Sequence, residues 1–275
     1  MDEETALFAE RYLNETEANR AACLAEIKSW LKDRGDLHAR TEDAYLLAFL
    51  RGCKFDVEKT KKKLTNYYTM RRNVPEWFDD RDPRSKTVQD LVNLGVFVPL
   101  RSTQDKRLVV IIRVAVHDPD VHKQDDVFKT GNMLMDVAAL EDVVSAQIYG
   151  VTAVFDLAGV DFRHAKQLTP AMIKKAVFSW RNYHVRPKQL EFVNVPGTVG
   201  VVLSIFKSFM SEKMRNRVRV HSSGLESLHG VIDKGILPPE YGGTGESVKQ
   251  LVDYWREKLL SYTDWFIEDQ KYKAD

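Results

Sequence analysis

Two largely apolar runs in the second half of the chain most constrain its fold. They cover residues 150–159 (GVTAVFDLAG) and 189–197 (QLEFVNVPG). Runs that do not alternate with polar residues are typical of strands buried on both faces of a sheet. Helical patterns separate these runs, and shorter strand patterns occur at residues 95–100, 107–114 and 218–222. The alternation of helices and strands predicts a mixed, mostly parallel sheet with crossover helices.

The first 73 residues show only helical patterns. Residues 18–34 repeat apolar side chains at helical spacing, and Asp56 is placed to cap a helix that runs to residue 72. Residues 73–85 (NVPEWFDDRDPRS) hold two prolines and a charge cluster, which is typical of a linker. We therefore predict a helical domain over residues 1–84 and an α/β domain over residues 85–275, which ends in an amphipathic helix.

The composition narrows the classes of function. The formal net charge is +1, which does not indicate a nucleic-acid-binding protein. The two cysteines, Cys23 and Cys53, predict neither a disulfide framework nor a zinc site. The first residues, MDEETALFAE, lack a signal-peptide pattern, and no window approaches the roughly 18 apolar residues of a membrane span. We expect a cytoplasmic protein.

The sequence shows no catalytic motif. It contains neither a G-x-S-x-G elbow nor a phosphate-binding G-x-x-x-x-G-K-[ST] loop. His117, Asp118, Asp120 and His122 lie close together, but Asp118 precedes a proline in a standard turn signal. We expect no enzymatic activity, no catalytic residue, no metal and no cofactor.

Residues 199–220 (VGVVLSIFKSFMSEKMRNRVRV) turn abruptly from apolar to basic. If residues 199–214 form one helix, apolar side chains cover well over half of its circumference. A helix packed on a core needs an apolar stripe only about 100° wide or somewhat wider. Three interpretations remain open: the helix is fully buried, one flank lines an internal cavity, or one flank meets a lipid interface.

Four cations accompany this apolar segment. Lys213 and Arg217 are four residues apart and would share a helix face that prolongs the apolar stripe, and Arg186 and Lys188 belong to a preceding turn. Charges placed in this way rarely point into a core. The set is typical of a membrane-surface site for anionic head groups, and ordinary solvated surface charges are the alternative.

Six motifs between about residues 20 and 260 carry a family resemblance. They are LLAFLRGCKFDVEKT, AVFDLAG, LTPAMIKK, FVNVP, FMSEKMRNRV and ILPPEYGG. Together they resemble the CRAL-TRIO (Sec14-like) lipid-transfer family, in its tocopherol-transfer and retinaldehyde-binding branch. The resemblance implies an all-helical N-terminal domain followed by an α/β domain. In that domain the sheet floors a lipid pocket, and the helix after FVNVP closes it as a lid.

The same resemblance implies a set of pocket residues. Phe128 and Phe155 match pocket aromatics, and Val151 is a like-for-like match. Gly131 and Met135 fall where the tocopherol protein has two small polar residues, so that polar anchor is not reproduced. The full predicted set is Phe128, Gly131, Met135, Val151, Phe155, Ala176, Ser179, Trp180, Val202, Ile205, Phe206 and Phe209.

The resemblance also implies a basic cleft for phosphoinositide head groups, formed by Arg186, Lys188, Lys213 and Arg217. We predict a monomeric, non-enzymatic carrier of one hydrophobic ligand: tocopherol, a retinoid or a similar lipid. It transfers this ligand between membranes and docks reversibly on endosomal or other phosphoinositide-bearing membranes. Gly197 and Gly200 are expected to form the hinge of the lid. Two alternatives remain open: a phosphatidylinositol-exchanging regulator of lipid signalling, and an inert scaffold whose N-terminal helices bind a protein partner.

Overall fold

The structure, a computed structural model, describes residues 1–197, 200–222 and 224–275. Its first part is helical. Six helices precede the first strand: α1 (Glu3–Leu13), α2 (Glu17–Lys32), α3 (Asp43–Gly52), α4 (Val57–Asn73), α5 (Pro75–Phe78) and α6 (Lys86–Leu94). The predicted cap of α4 is confirmed, since the Asp56 side chain accepts a hydrogen bond from the main-chain N–H of Lys59 (3.0 Å).

The rest of the chain alternates strands and helices. The strands are β1 (Phe97–Gln104), β2 (Arg107–Arg113), β3 (Val151–Asp156), β4 (Pro187–Val193) and β5 (Val218–Val220). The helices are α7 (Gln124–Glu141), α8 (Phe162–Gln167), α9 (Pro170–Asn182), α10 (Gly200–Phe209), α11 (Glu212–Arg215), α12 (Leu225–His229), α13 (Val248–Ser261) and α14 (Thr263–Asp269). A π-helical turn (Val144–Tyr149) leads into β3.

The five strands form one sheet in the order β1-β2-β3-β4-β5. β1 is antiparallel to β2, and β2 to β5 run parallel to one another. The predicted mixed, mostly parallel sheet is therefore confirmed, and so is the helical region that precedes it. Within the described ranges, no helix is both long enough and apolar enough to cross a membrane.

Residues 73–85 are not an exposed linker, so that prediction is wrong. Trp77 and Phe78 are each 1% exposed, and Arg81 is fully buried. The Trp77 ring packs against Phe128 of α7 with 4.7 Å between ring centroids, and its Nε1 donates to Asp125 (2.6 Å). The prolines and charges end the preceding helix, but the aromatic side chains between them bind the segment to the core.

A buried ionic network joins the helical region to the rest of the molecule. The Asp269 carboxylate at the end of α14 accepts hydrogen bonds from Arg40 (2.8 Å), Arg71 (2.7 Å) and Arg81 (2.9 Å). Arg81 also pairs with Asp136 of α7. Removing one partner from such a network leaves an uncompensated buried charge, which typically costs about 3–5 kcal/mol. The network therefore fixes the helices around α4 against α7 and the C-terminal helix.

The predicted single helix over residues 199–214 is wrong, because the helix is interrupted. α10 ends at Phe209, and Ser211 adopts an extended conformation (φ −64°, ψ 157°) whose Oγ accepts a hydrogen bond from the N–H of Met214 (3.3 Å). This cap starts the short α11, and Arg217 lies beyond its end. Lys213 and Arg217 therefore do not share a face of a continuous helix. Thr198 and Val199 lie outside the described residues.

Candidate functional site

One face of the sheet presents regular rows of apolar side chains. The strand register aligns Val110, Ala153 and Leu190 in one row and Ile112, Phe155 and Phe192 in the next. Successive residues of a strand point to opposite faces, so residues two apart share a face. All six side chains border the cavity space above the sheet. The sheet thus forms an apolar floor.

Three helices cover this floor: α7, α9 and α10. Between the floor and the helices lie two adjoining cavities of about 140 and 100 Å³. Trp180 of α9 borders both cavities and stacks on Phe206 of α10, with 5.6 Å between the ring centroids and 12° between the ring planes. Six residues border both spaces and form the partition between them: Phe97, Ile112, Gly131, Asn132, Phe155 and Trp180.

The structure brings most of the predicted pocket residues to these cavities. Those that border one or both are Phe128, Gly131, Met135, Val151, Phe155, Ser179, Trp180, Val202 and Phe206. Three others do not border either cavity in the part of the chain that the structure describes. Ala176 is fully buried in the main core, and Ile205 and Phe209 of α10 lie half-buried against a second apolar cluster. When apolar residues cover most of a helical wheel, the sequence does not show which flank of the helix faces the cavity.

Several cavity residues were not predicted. Phe97, Asn132 and Leu203 border the cavities, and Phe97 and Asn132 belong to the partition. Leu203 is the buried residue of α10, and its neighbour Val202 was predicted. Phe97 carried a usable signal, because it is an aromatic residue within the predicted strand pattern over residues 95–100, and in the structure it pairs with Ile112 of β2. Asn132 carried no such signal, since the hydrogen bonds of a single polar residue in a helix are usually satisfied locally.

The four predicted cations meet at one edge of the sheet. Arg186 and Lys188 lie at the amino end of β4, and Arg217 directly precedes β5. The amino ends of parallel strands share one edge of a sheet, and α10 and α11 return the chain to this edge before β5 begins. We call Arg186, Lys188, Lys213 and Arg217 the basic cluster.

Main-chain carbonyl groups hold the two arginines of the basic cluster. Arg186 Nη2 donates to the carbonyl oxygen of Ile148 and, at 3.3 Å, to that of Gln147. Arg217 Nη1 donates to the carbonyl oxygen of Pro187. Gly150 has a φ of +97°, and a Cβ there would lie 2.7 Å from Cγ of Lys188. Only glycine fits this contact, which brings β3 close to Lys188.

Burial and neighbouring positive charges lower the pKa values of the basic cluster. Burial, followed by the charges of Arg186, Arg217, Arg107 and Lys54, lowers the pKa of Lys188 to about 8. Burial, with a contribution from Arg217, lowers the pKa of Arg186 to about 10. Arg217, followed by burial, lowers the pKa of Lys213. Within the described ranges, none of the four forms a salt bridge with a carboxylate, so the cluster carries uncompensated positive charge.

The structure adds cations that sequence reasoning missed. Lys54 lies in the turn between α3 and α4, and Arg107 begins β2. Both are close enough to lower the pKa of Lys188. Lys63 of α4 donates to the carbonyl oxygen of Tyr183 (3.2 Å). Lys54 and Lys63 extend the basic surface onto the helical region.

The described part of the chain contains no group of three or more histidine, cysteine, aspartate or glutamate side chains placed to hold a metal ion. His117 and His122 are buried near His164, with 5.1 Å between the ring centroids of His117 and His164. Burial, followed by the neighbouring histidines, lowers the pKa of His117 to about 4. This ring is therefore neutral near pH 7.

A sheet that floors an apolar cavity beneath three helices offers space for a hydrophobic molecule. Residues 93–243 match the family model described as CRAL/TRIO domain, and residues 16–88 match the one described as Pinta-like, UBA domain. The chain therefore belongs to the CRAL/TRIO family, which binds and transfers hydrophobic lipids. The comparisons indicate no family of enzymes.

Individual relatives agree with this assignment. The chain is 31% identical to the human (Homo sapiens) protein named alpha-tocopherol transfer protein-like over an alignment of 243 positions, which covers 86% of this chain and 68% of that protein. It is 25% identical to clavesin-2 of Rattus norvegicus over an alignment of 279 positions, which covers 99% of this chain and 82% of that protein. The crystal structure of Sfh5 is similar in fold, with a TM-score of 0.56 and 16% identity over 98% of this chain and 99% of that chain.

Proposed function

We propose that this protein is a non-enzymatic carrier that shields one hydrophobic molecule and transfers it between membranes. The observation that supports this most directly is the pair of apolar cavities between the sheet and α7, α9 and α10. A ligand that hides several hundred Å² of apolar surface gains about 25 cal/mol per Å² buried. Tocopherol, a retinoid or a similar lipid is the class of ligand that this apolar lining suits.

We further propose that the basic cluster binds the phosphate groups of a phosphoinositide and so docks the carrier on a membrane. Arginine suits bidentate phosphate contacts, and lysine supplies a compact point charge. The cluster lies where α10 and α11 return the chain to the sheet edge, so the bound head group would lie beside the end of the lid. Under this proposal the protein is cytoplasmic and associates reversibly with endosomal or other phosphoinositide-bearing membranes. Residues 85–275 would carry the ligand, and residues 1–84 would add Lys54 and Lys63 to the docking surface.

Organic extraction of the purified protein, followed by mass spectrometry, tests the proposed carrier function. We expect about one apolar molecule without a phosphate head group per chain. Recovery of phosphatidylinositol would instead indicate the exchanging regulator. A protein that yields no lipid, and that takes up none from loaded vesicles, would contradict both and indicate the scaffold.

The lid should move when the protein meets a membrane. Gly197 and Gly200 flank its start, and a Cβ at either position would meet no atom within 4 Å among the described residues. Neither crowding nor positive φ requires glycine there, so conformational freedom is the reason we assign to them. We expect faster hydrogen exchange over residues 198–214 when anionic vesicles are added, and unchanged exchange in β2. Equal exchange of the lid with and without vesicles would contradict its opening at membranes.

Docking should weaken at mildly alkaline pH. The pKa of Lys188 is lowered to about 8, so this side chain loses its charge as the pH rises from 7 to 9, well before an ordinary lysine does. A bound phosphate favours the charged form, so binding should take up a proton. We expect binding to phosphoinositide-containing vesicles to fall over this range, and Lys188→Arg to flatten the dependence. An equal pH dependence of vesicle binding in both proteins would show that Lys188 is not part of the docking surface.

A further inference from the structure

Three buried histidine side chains lie together beside the larger cavity. His117 and His122 belong to the loop between β2 and α7, and His164 belongs to α8. The ring centroid of His117 lies 5.1 Å from that of His164 and 6.4 Å from that of His122. We call these three residues the histidine cluster. Because the rings share one buried space, a proton gained by any of them places a charge where little water can reach it.

The histidine cluster lies between two segments that wall the larger cavity. Four side chains of these segments border that cavity: Val114, Gln124, Ala165 and Leu168. Nε2 of Gln167 donates to the carbonyl oxygens of Pro119 (2.7 Å) and His122 (3.1 Å). Nε2 of His164 donates to the carbonyl oxygen of His117 (3.2 Å). These hydrogen bonds hold residues 114–124 against residues 161–168, and we call the two segments together the end wall.

The end wall has no free acceptor for a protonated ring. Neither ring nitrogen of His117 or His122 has a hydrogen-bond partner among the described residues. The charged side chains of the end wall are exposed: Asp118, Asp120, Lys123, Asp161, Arg163 and Lys166. The guanidinium group of Arg163 donates to all three aspartates of this set, at 2.8 to 3.4 Å. Asp161 also contacts Nδ1 of His164 (2.8 Å). A protonated His117 can therefore be solvated only if its segment moves toward water.

These surroundings make the closed end wall sensitive to pH. Burial, followed by the neighbouring rings of His164 and His122, lowers the pKa of His117 to about 4, while the main chain of Val114 and the carboxylate of Asp118 raise it by less. In an opened wall the hydrated ring has its ordinary pKa of 6.5. Between these two values the opened form binds more protons, so the closed form loses stability as the pH falls. From pH 7.5 to pH 5.5 the ratio of opened to closed forms rises about tenfold.

We propose that the histidine cluster holds the end wall closed at neutral pH, and that acidification opens the wall and speeds release of the carried ligand. This inference rests on the proposed carrier function and adds a trigger for release that does not use the basic cluster. Histidine is the side chain whose ordinary charge change falls in this pH range. The hydrogen bond with His164 lowers the pKa of Asp161, so this carboxylate keeps its charge over the same range.

Two measurements at pH 7.5 and pH 5.5 test this inference. The first is the hydrogen-exchange protection of residues 114–124 and 161–168, corrected for the intrinsic exchange rate at each pH, with α3 as the internal reference. The second is the rate at which α-tocopherol leaves the protein for an excess of pure phosphatidylcholine vesicles, measured after the vesicles are sedimented. Vesicles without anionic lipid exclude docking through the basic cluster from the result.

The variant His117→Phe keeps an aromatic ring in the cluster and removes the titrating group. The matched control is His38→Phe, which makes the same change at a histidine whose side chain is 62% exposed. In the wild type and the control we expect about tenfold lower protection of the end wall, and about tenfold faster release, at pH 5.5 than at pH 7.5. In His117→Phe both changes should be less than about twofold. If this variant does not fold, His117→Gln replaces it, because glutamine also gains no proton in this range.

Three results would overturn the inference. An equal pH dependence in His117→Phe and in the wild type would exclude the histidine cluster as the trigger while leaving the carrier function intact. Lower protection of the end wall without faster release would mean that the ligand leaves by another route. A protein that binds no α-tocopherol and yields no lipid on extraction would overturn the carrier function and the release step with it, whereas the protection of the end wall tests its opening independently.

Discussion

Replacing Phe155 with aspartate should lower retention of retinoid-like and tocopherol-like probes at least about a hundredfold. Phe155 occupies the middle of the row Ile112–Phe155–Phe192 and borders both cavities. Its ring stacks on Phe192 with 4.6 Å between centroids and lies 5.9 Å from Trp180. A carboxylate at this place must either remain hydrated, and fill the cavity with water, or lose several kcal/mol of hydration. Either outcome removes the apolar surface that the ligand would cover.

The fold should survive this substitution, because the aspartate side chain faces space that water can enter. Circular dichroism and the thermal unfolding midpoint check this point. Phe162→Asp is the matched control: it makes the same chemical change at a side chain that is 80% exposed, in the segment that follows the same strand. We expect the control to retain both probes in solution. Wild-type retention by folded Phe155→Asp would mean that the ligand binds elsewhere.

The elements that local chemistry determines could be predicted from the sequence. β3 and β4 were predicted because largely apolar runs suit parallel strands that are covered on both faces. The start of α9 was predicted because Thr169 accepts a hydrogen bond from the N–H of Met172 (3.2 Å), and Pro170 then occupies the first helical position. These signals act within a few residues, so no knowledge of distant contacts is required.

Features that depend on distant contacts could not be predicted in this way. Asp269 lies near the C-terminus, but its partners Arg40, Arg71 and Arg81 come from the first third of the chain. At Ser211 the chain could continue the helix or end it with a side-chain cap. The apolar periodicity does not show which of the two occurs.

Replacing Lys213 and Arg217 together with alanine should weaken binding to phosphoinositide-containing vesicles about thirtyfold. Each basic residue near an anionic surface contributes about 1 kcal/mol, and every 1.4 kcal/mol corresponds to about a factor of ten in affinity. Arg217 lowers the pKa of Lys213, which places the two charges close together, and neither is neutralised by a carboxylate among the described residues. The net charge of the whole protein is only +1, so attraction to the membrane depends on this local concentration of charge.

Ligand transfer between vesicles should slow in the double variant, while ligand affinity in solution stays nearly constant, because neither residue borders the apolar cavities. Arg215→Ala combined with Lys234→Ala is the matched control, since it removes two charges at exposed positions outside the basic cluster. Raising the salt concentration should weaken vesicle binding of the wild type and the control, and should affect the double variant less. The Arg217 side chain also donates to the carbonyl oxygen of Pro187, so Lys213→Ala alone should show part of the loss without this contribution to folding. Transfer at the wild-type rate by both the single and the double variant would mean that the basic cluster does not dock the protein on membranes.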